Sequence, residues 1–229
     1  LNAALNLLYH GPVVLTGAGR TDSGVHARHQ AAHYDSDGRF PLDRLVPALN
    51  ANLPGSIRVL NARVVPDDFS ARFSAVRREY RYFIRTGPVS SPFFTRFAWH
   101  HPRPLALAPM QEAAAHWLGT HDFAALCADD PAEMKTQRTI LATDVTAHGP
   151  FCCFTVAAPA FLRSQVRRMV GLLAGVGRGD WPPVTARDVL TGAAARPAKL
   201  TAPANGLFLW AITYPGISDD LPGGLIFPG

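Results

Sequence analysis

From residue 76 to residue 85 the side chains alternate: Tyr80, Tyr82 and Ile84 fall on one parity and Arg81 and Arg85 on the other. Only an extended strand turns a period of two into one aromatic face and one charged face. A strand of that length commits the chain to a sheet, and the segments around it read as further strands and helices.

Leu1, Ala4, Leu5 and Leu8 follow helical spacing, so the sequence opens within an amphipathic helix. Residues 12–16 read as a short apolar strand, 17–24 as a polar glycine-rich loop, 28–35 as a strand and 41–50 as a helix. Another strand is expected over 56–65, with Ile57, Val59, Asn61 and Arg63 on one face. Beyond the long strand the pattern predicts a strand at 97–101, a helix at 107–118 with Met110, Ala114 and Trp117 inward, and strands at 139–147 and 151–157. A helix at 161–175, a short one at 186–191 with Thr185 as its cap, and a strand at 206–214 follow, before a tail of Gly, Pro and Asp expected to be loose. This order predicts an α+β protein of two pseudo-symmetric α/β domains, 1–68 and 69–229, with mixed, mainly antiparallel sheets joined through the long strand.

Composition narrows the function classes. In 229 residues, 48% are hydrophobic and 17% charged, which excludes a disordered tail and a coiled coil. No apolar run reaches the roughly 18 residues of a membrane span, so no membrane association is expected. Cys127, Cys152 and Cys153 make an odd count without a Cys-x-x-Cys spacing, which fits a reducing cytoplasm and supports neither a zinc site nor a disulfide frame. His26, His29 and His33 have spacings that mimic metal ligands on a helix, but the strand expected there would split them, and no metal site is read. The net charge is +5, and of the 22 cations only Lys135 and Lys199 are not arginine. Arginine pairs bidentately with phosphate and stacks on bases, which fits a nucleic-acid partner, although codon bias in a GC-rich genome gives the same composition.

The densest polar cluster is Gly17-Ala-Gly-Arg20-Thr-Asp22-Ser-Gly24-Val-His26-Ala-Arg28. It lacks the third glycine and following helix of a dinucleotide loop and the Gly-Lys-Ser/Thr ending of a P-loop. As a bare pattern it is equally a tight turn in which Asp22 satisfies backbone N–H groups. By the same standard Tyr80 is one inward residue of a strand, and Arg163 with Arg167 is a solvated helix face.

Gly19-Arg-Thr-Asp22-Ser-Gly-Val-His-Ala27, with Gln30 after it, resembles the catalytic loop of the tRNA pseudouridine synthase A family. Phe69-Ser-Ala-Arg72-Phe-Ser-Ala75 followed by Arg78-Glu-Tyr80-Arg-Tyr82 resembles its second motif. Gly119-Thr-His-Asp-Phe123, then Phe161-Leu162 with Val166-Arg167 and Gly171, then Ala202-Pro203 with Gly206-Leu207, complete the set in family order. The resemblance implies two half-sheets merging across a central RNA-binding cleft. It implies isomerisation of uridine to pseudouridine in the anticodon stem-loop of tRNA, at tRNA positions 38, 39 and/or 40, in the cytoplasm, without a cofactor and as a homodimer. Carried over by motif, Asp22 takes the place of the catalytic aspartate, Tyr80 of the active-site tyrosine, Arg167 of the aspartate's basic partner and Arg20 of the arginine that helps hold the flipped nucleotide.

Arg72, Arg78 and Arg168 are the further arginines expected on the RNA, Arg72 and Arg78 first, since Arg81 and Arg85 fall on the other face of their strand. Arg168 stands where the family usually has Asn, and Gln165 where it has an apolar residue. The family also opens on a strand with a Tyr-Asp-Gly signature that this sequence does not contain, so the first half-sheet is expected to be one strand short. The rival readings are a non-catalytic RNA-binding module and a nucleoside hydrolase, for which no second acid is supplied by any motif.

The charge predicts that tRNA affinity falls steeply with salt, by at least about tenfold between roughly 50 and 200 mM, as counterions compete for the phosphates. A binding titration across that range checks it; a flat response would place the affinity elsewhere.

Overall fold

A computed structural model describes residues 1–129, 134–195 and 201–217. It resolves two compact units, one holding Leu1–Arg20, Gln30–Ala75 and the described residues from Tyr214, the other Thr21–His29 and Val76–Thr213.

The second unit is built on β4 (Arg77–Thr86), the alternating segment. β9 (Phe151–Ala158) runs antiparallel along one edge, Arg78 opposite Ala158 and Arg85 opposite Phe151. β10 (Leu207–Thr213) runs antiparallel along Arg77 to Tyr82, with an irregularity between Leu209 and Ala211. β5 (Trp99–His101) pairs parallel with Ile84 to Thr86, where β10 has ended. β8 (Ala142–His148) lies outside β9, and β2 (His26–Ala27) closes the other side, parallel to β10. The sheet is thus mixed and mainly antiparallel, and with the helices below it gives the α+β class read from the sequence.

Alternation on β4 has the consequence the pattern dictates. Tyr82 and Ile84 are 0% and 1% exposed. They lie in a core with α3 (Leu107–Ala115), α4 (Gln165–Arg178) and α5 (Thr185–Thr191), together with Met110, Trp117, Phe123, Phe154 and Met169. On the opposite parity Glu79 pairs with Arg77 at 3.2 Å and Arg81 at 3.0 Å, and Arg81 stacks over Trp210 at 4.3 Å. A small antiparallel hairpin of β6 (Gly119–Asp122) and β7 (Gln137–Ile140) stands apart from that sheet.

The first unit has a smaller core. α1 (Asn2–Tyr9) and α2 (Leu42–Ala51) bury Ala4, Leu5, Leu45 and Leu49 against Tyr34, Phe40 and Val59. Its described strands are only β1 (Thr16–Gly17) and β3 (Ala32–His33), paired antiparallel.

Several sequence expectations are corrected here, two of them by side chains that take the place of a strand partner. No strand forms over 56–65, because the Asn50 amide both donates to and accepts from the Val59 backbone, each at 2.8 Å. The strand expected at 12–16 is reduced to β1, with the Val13 N–H donating to Asn6 Oδ1. Of the strand expected at 28–35 only β3 forms; the neighbouring β2 precedes that range and joins a different sheet. The strand at 139–147 is likewise two, since β7 pairs with β6 and β8 with β9. Thr185 is the first residue of α5, not its cap. The tail expected to be loose lies, from 218 on, outside the described residues. Among the described residues no helix is long and apolar enough to cross a membrane.

Gly206 marks a close approach against β4. A Cβ there would stand 2.7 Å from the Tyr82 ring and 2.8 Å from the Phe83 carbonyl. Tyr82 is fully buried and donates its hydroxyl to Pro203 O at 2.8 Å, so the ring has nowhere to move. Gly206→Ala should therefore cost about 1–3 kcal/mol by overpacking. Thermal unfolding should show a drop of roughly 2–4 °C per kcal/mol.

Candidate active site

Asp22 sits in a turn whose chemistry is local. Its backbone carbonyl accepts the Val25 N–H at 3.0 Å, with Gly24 at φ 84, a conformation that glycine adopts without a Cβ penalty. The backbone closes the turn, which leaves the Asp22 side chain for another use. The pairing of His26 and Ala27 with Phe208 and Leu209 then anchors the segment to β10.

The Asp22 carboxylate meets Arg167 and Ser164 from the start of α4. Arg167 Nη1 donates to Oδ2 at 2.8 Å and Ser164 Oγ to the same oxygen at 3.1 Å. Among the described residues Oδ1 accepts no hydrogen bond. The pair is half-buried, with side-chain exposures of 19% for Arg167 and 31% for Asp22, so a substrate can reach it while its charges strengthen the bond.

Arg167 is itself held. Its Nε donates to Ala202 O at 2.8 Å, and the Ala202 N–H donates back to Arg167 O at 3.0 Å. The Ala202-Pro203…Gly206 stretch therefore has a physical role that sequence reading did not assign: Ala202 clamps Arg167, Pro203 takes the Tyr82 hydroxyl, and Gly206 makes room for the Tyr82 ring.

Tyr80 and Tyr82 share a face of β4 but differ in availability. The Tyr82 phenol is engaged with Pro203, whereas the Tyr80 hydroxyl makes no hydrogen bond among the described residues. The Tyr80 ring packs edge-on to Phe161 at 5.3 Å. Burial holds the Tyr80 phenol above its usual range, Arg78's charge opposes that shift, and the nearby Asp22 carboxylate adds to it. A carboxylate with one oxygen tied and the other open, next to an unclaimed phenol, can attack or deprotonate a ligand while the ring packs on it.

A family model described as tRNA pseudouridine synthase matches residues 113–215. The tRNA pseudouridine synthase A of Syntrophotalea carbinolica is 41% identical over 211 residues, 92% of this chain and 84% of its own length. The chain belongs to the tRNA pseudouridine synthase A family. Other members bear the same name: that of Roseiflexus castenholzii is 45% identical over 203 residues, 86% of this chain and 74% of its own, and that of Bacillus velezensis 39% over 204, 89% and 83%.

Against the family's motifs, the structure brings Asp22, Arg167 and Tyr80 together within one unit. The other arginines singled out by the sequence are placed differently. Arg78 is buried at 9% exposure and donates to the Pro159 carbonyl. Arg168 donates to the Cys127 carbonyl, and its neighbour Arg163 pairs with Asp129 at 2.9 Å. Arg20 and Arg72 are exposed and belong to the other unit, where the Arg72 guanidinium lies 5.3 Å from the Phe73 ring. Gln165, fully buried, accepts the Leu162 N–H on Oε1 at 2.8 Å and so stabilises the turn into α4. That turn delays the helix expected from 161 to Gln165.

Ser164 was missed by sequence reading. Its signal is conformational: φ 55 in a residue with a Cβ, at a cost of roughly 1–3 kcal/mol. Nothing in the string of letters announces that.

Burial pushes the phenols of Tyr80 and Tyr82 upward, with Arg167's charge lowering that of Tyr82 only in part. Each stays protonated in the folded chain at a pH where the unfolded chain has begun to ionise near 10. The stability they contribute is therefore complete below pH ~10 and lost as pH rises through the folded values. Denaturant midpoints should fall above pH ~10, and Tyr82→Phe, which has no phenol to ionise, should flatten that fall.

Proposed function

We propose that this chain isomerises uridine to pseudouridine in the anticodon stem-loop of tRNA, with Asp22 as the reacting carboxylate, Arg167 as its partner and Tyr80 against the base. The observation that carries the reading is the Asp22–Arg167 contact of 2.8 Å, made between two motifs 145 residues apart. The relatives named tRNA pseudouridine synthase A support the substrate and the reaction. The anticodon arm and the uridines at tRNA positions 38, 39 and/or 40 are the finer part of the proposal, as are a homodimer and a cytoplasmic location.

The reaction breaks the C1′–N1 glycosidic bond, turns the uracil and rejoins it through C5, and the C5 proton leaves at the end. Asp22 Oδ1 is the open oxygen for attack on sugar or base, or for removal of a ribose proton. We assign the Tyr80 ring to packing against the base and its phenol, held protonated by burial, to hydrogen bonding during the final proton transfer. A target base within a stem must be flipped out first, at a cost of a few kcal/mol that phosphate contacts offset. Arg20 and Arg72, exposed, are the arginines we assign to the RNA before the others; Arg78 and Arg168 are engaged with backbone carbonyls. No observation favours a non-catalytic RNA-binding module.

Asp22→Asn should abolish pseudouridine formation and leave tRNA affinity within a few-fold, because it preserves shape and removes only the reactive charge. Carbodiimide adducts read by primer extension report the product. Substantial turnover by this variant would overturn the assignment, loss of binding would give Asp22 a structural role instead, and release of free uracil would mark a hydrolase.

A further inference from the structure

Ser164 departs from what a serine at a helix start ordinarily does. Such a hydroxyl turns back onto an N–H of the first helical turn. Ser164 precedes α4 as its cap residue but makes no side-chain cap bond, and its Oγ donates instead to Asp22 Oδ2 at 3.1 Å. Its backbone is left-handed, φ 55 and ψ 9, and only His10 shares a positive φ among the described non-glycine residues. The strain is over-determined by its surroundings: Arg168 N–H donates to Ser164 O at 3.0 Å, and Gln165 closes the turn onto Leu162. Strained non-glycine backbone that persists beside a reactive group is a signature of preorganisation.

We propose that Ser164 is a positioning residue for the isomerisation, its hydroxyl fixing the Asp22 carboxylate so that Oδ1 is the oxygen presented to the substrate. The inference rests on Asp22 being the reacting carboxylate. Arg167 places a single N–H on Oδ2, and one donor leaves a carboxylate free to rotate about its Cβ–Cγ bond or to exchange its two oxygens. A second donor on the same oxygen, coming from a separate residue, removes that freedom. The hydroxyl is neutral and donates to the Asp22 carboxylate, so its effect belongs to the reacting step and not to tRNA capture.

The test compares Ser164→Ala, Ser164→Gly and Asp22→Asn in steady-state and single-turnover assays on tRNA, with thermal melts of each protein. Ser164→Ala and Ser164→Gly should both lower kcat by roughly tenfold or more with KM within about twofold, as expected when orientation is lost without binding. Ser164→Gly should melt above Ser164→Ala, since glycine adopts the left-handed backbone without penalty. Equal losses of kcat in two proteins of unequal stability assign the effect to the hydroxyl. A Ser164→Ala kcat within twofold of the parent, a change in KM alone, or normal turnover by Ser164→Gly would overturn the proposal. If Asp22→Asn is dead while Ser164→Ala is normal, this inference falls by itself; if Asp22→Asn turns over, the site assignment beneath it falls as well.

Discussion

His26 and Ala27 run parallel to Phe208 and Leu209, and the N–H groups of Arg28 and His29 both reach the Leu209 carbonyl, at 2.9 and 3.3 Å. This short pairing determines where Asp22 can be. Without it the glycine-containing turn would hang from the end of β1, and the Asp22 carboxylate would have no means of meeting a helix that begins at Gln165. Backbone hydrogen bonding supplies the anchor, and the ion pair with Arg167 supplies the aim. Neither substitutes for the other, because a half-buried ion pair alone contributes too little to order a loop.

β4 serves this arrangement with two tyrosines in opposite roles. Tyr82 is packed, capped by Pro203 O and crowded by Gly206, so it fixes the position of the Ala202–Gly206 turn that in turn clamps Arg167. Tyr80, two residues earlier on the same face, makes no hydroxyl hydrogen bond among the described residues. Rigidity is concentrated in Tyr82 and Arg167, while among the described residues Asp22 Oδ1 and the Tyr80 hydroxyl carry no hydrogen bond. The same logic accounts for buried Arg78 and for Arg168, whose guanidinium groups satisfy carbonyls at Pro159 and Cys127. Arginine content by itself thus does not tell which guanidinium groups are taken up by the protein's own carbonyls.

The sequence by itself determined what depends on local periodicity and on motif. The alternation over 76–85 became β4, helical spacing became α1, α3 and α4, and the order of five motifs identified Asp22, Tyr80 and Arg167 as residues that belong together. It misjudged 56–65 and 12–16, where β-branched and apolar residues read as strand. In the structure, amide side chains of Asn50 and Asn6 satisfy those backbones instead. A side-chain amide that replaces a strand partner leaves no periodic trace, since the deciding partner lies several residues off the pattern. What only the tertiary structure decided was which oxygen of Asp22 is tied, that the Tyr82 hydroxyl is taken by Pro203 O, and that Ser164 turns its hydroxyl to Asp22 from a left-handed backbone. Those are contacts between residues far apart in the chain, set by packing and backbone dihedrals that residue types alone do not encode.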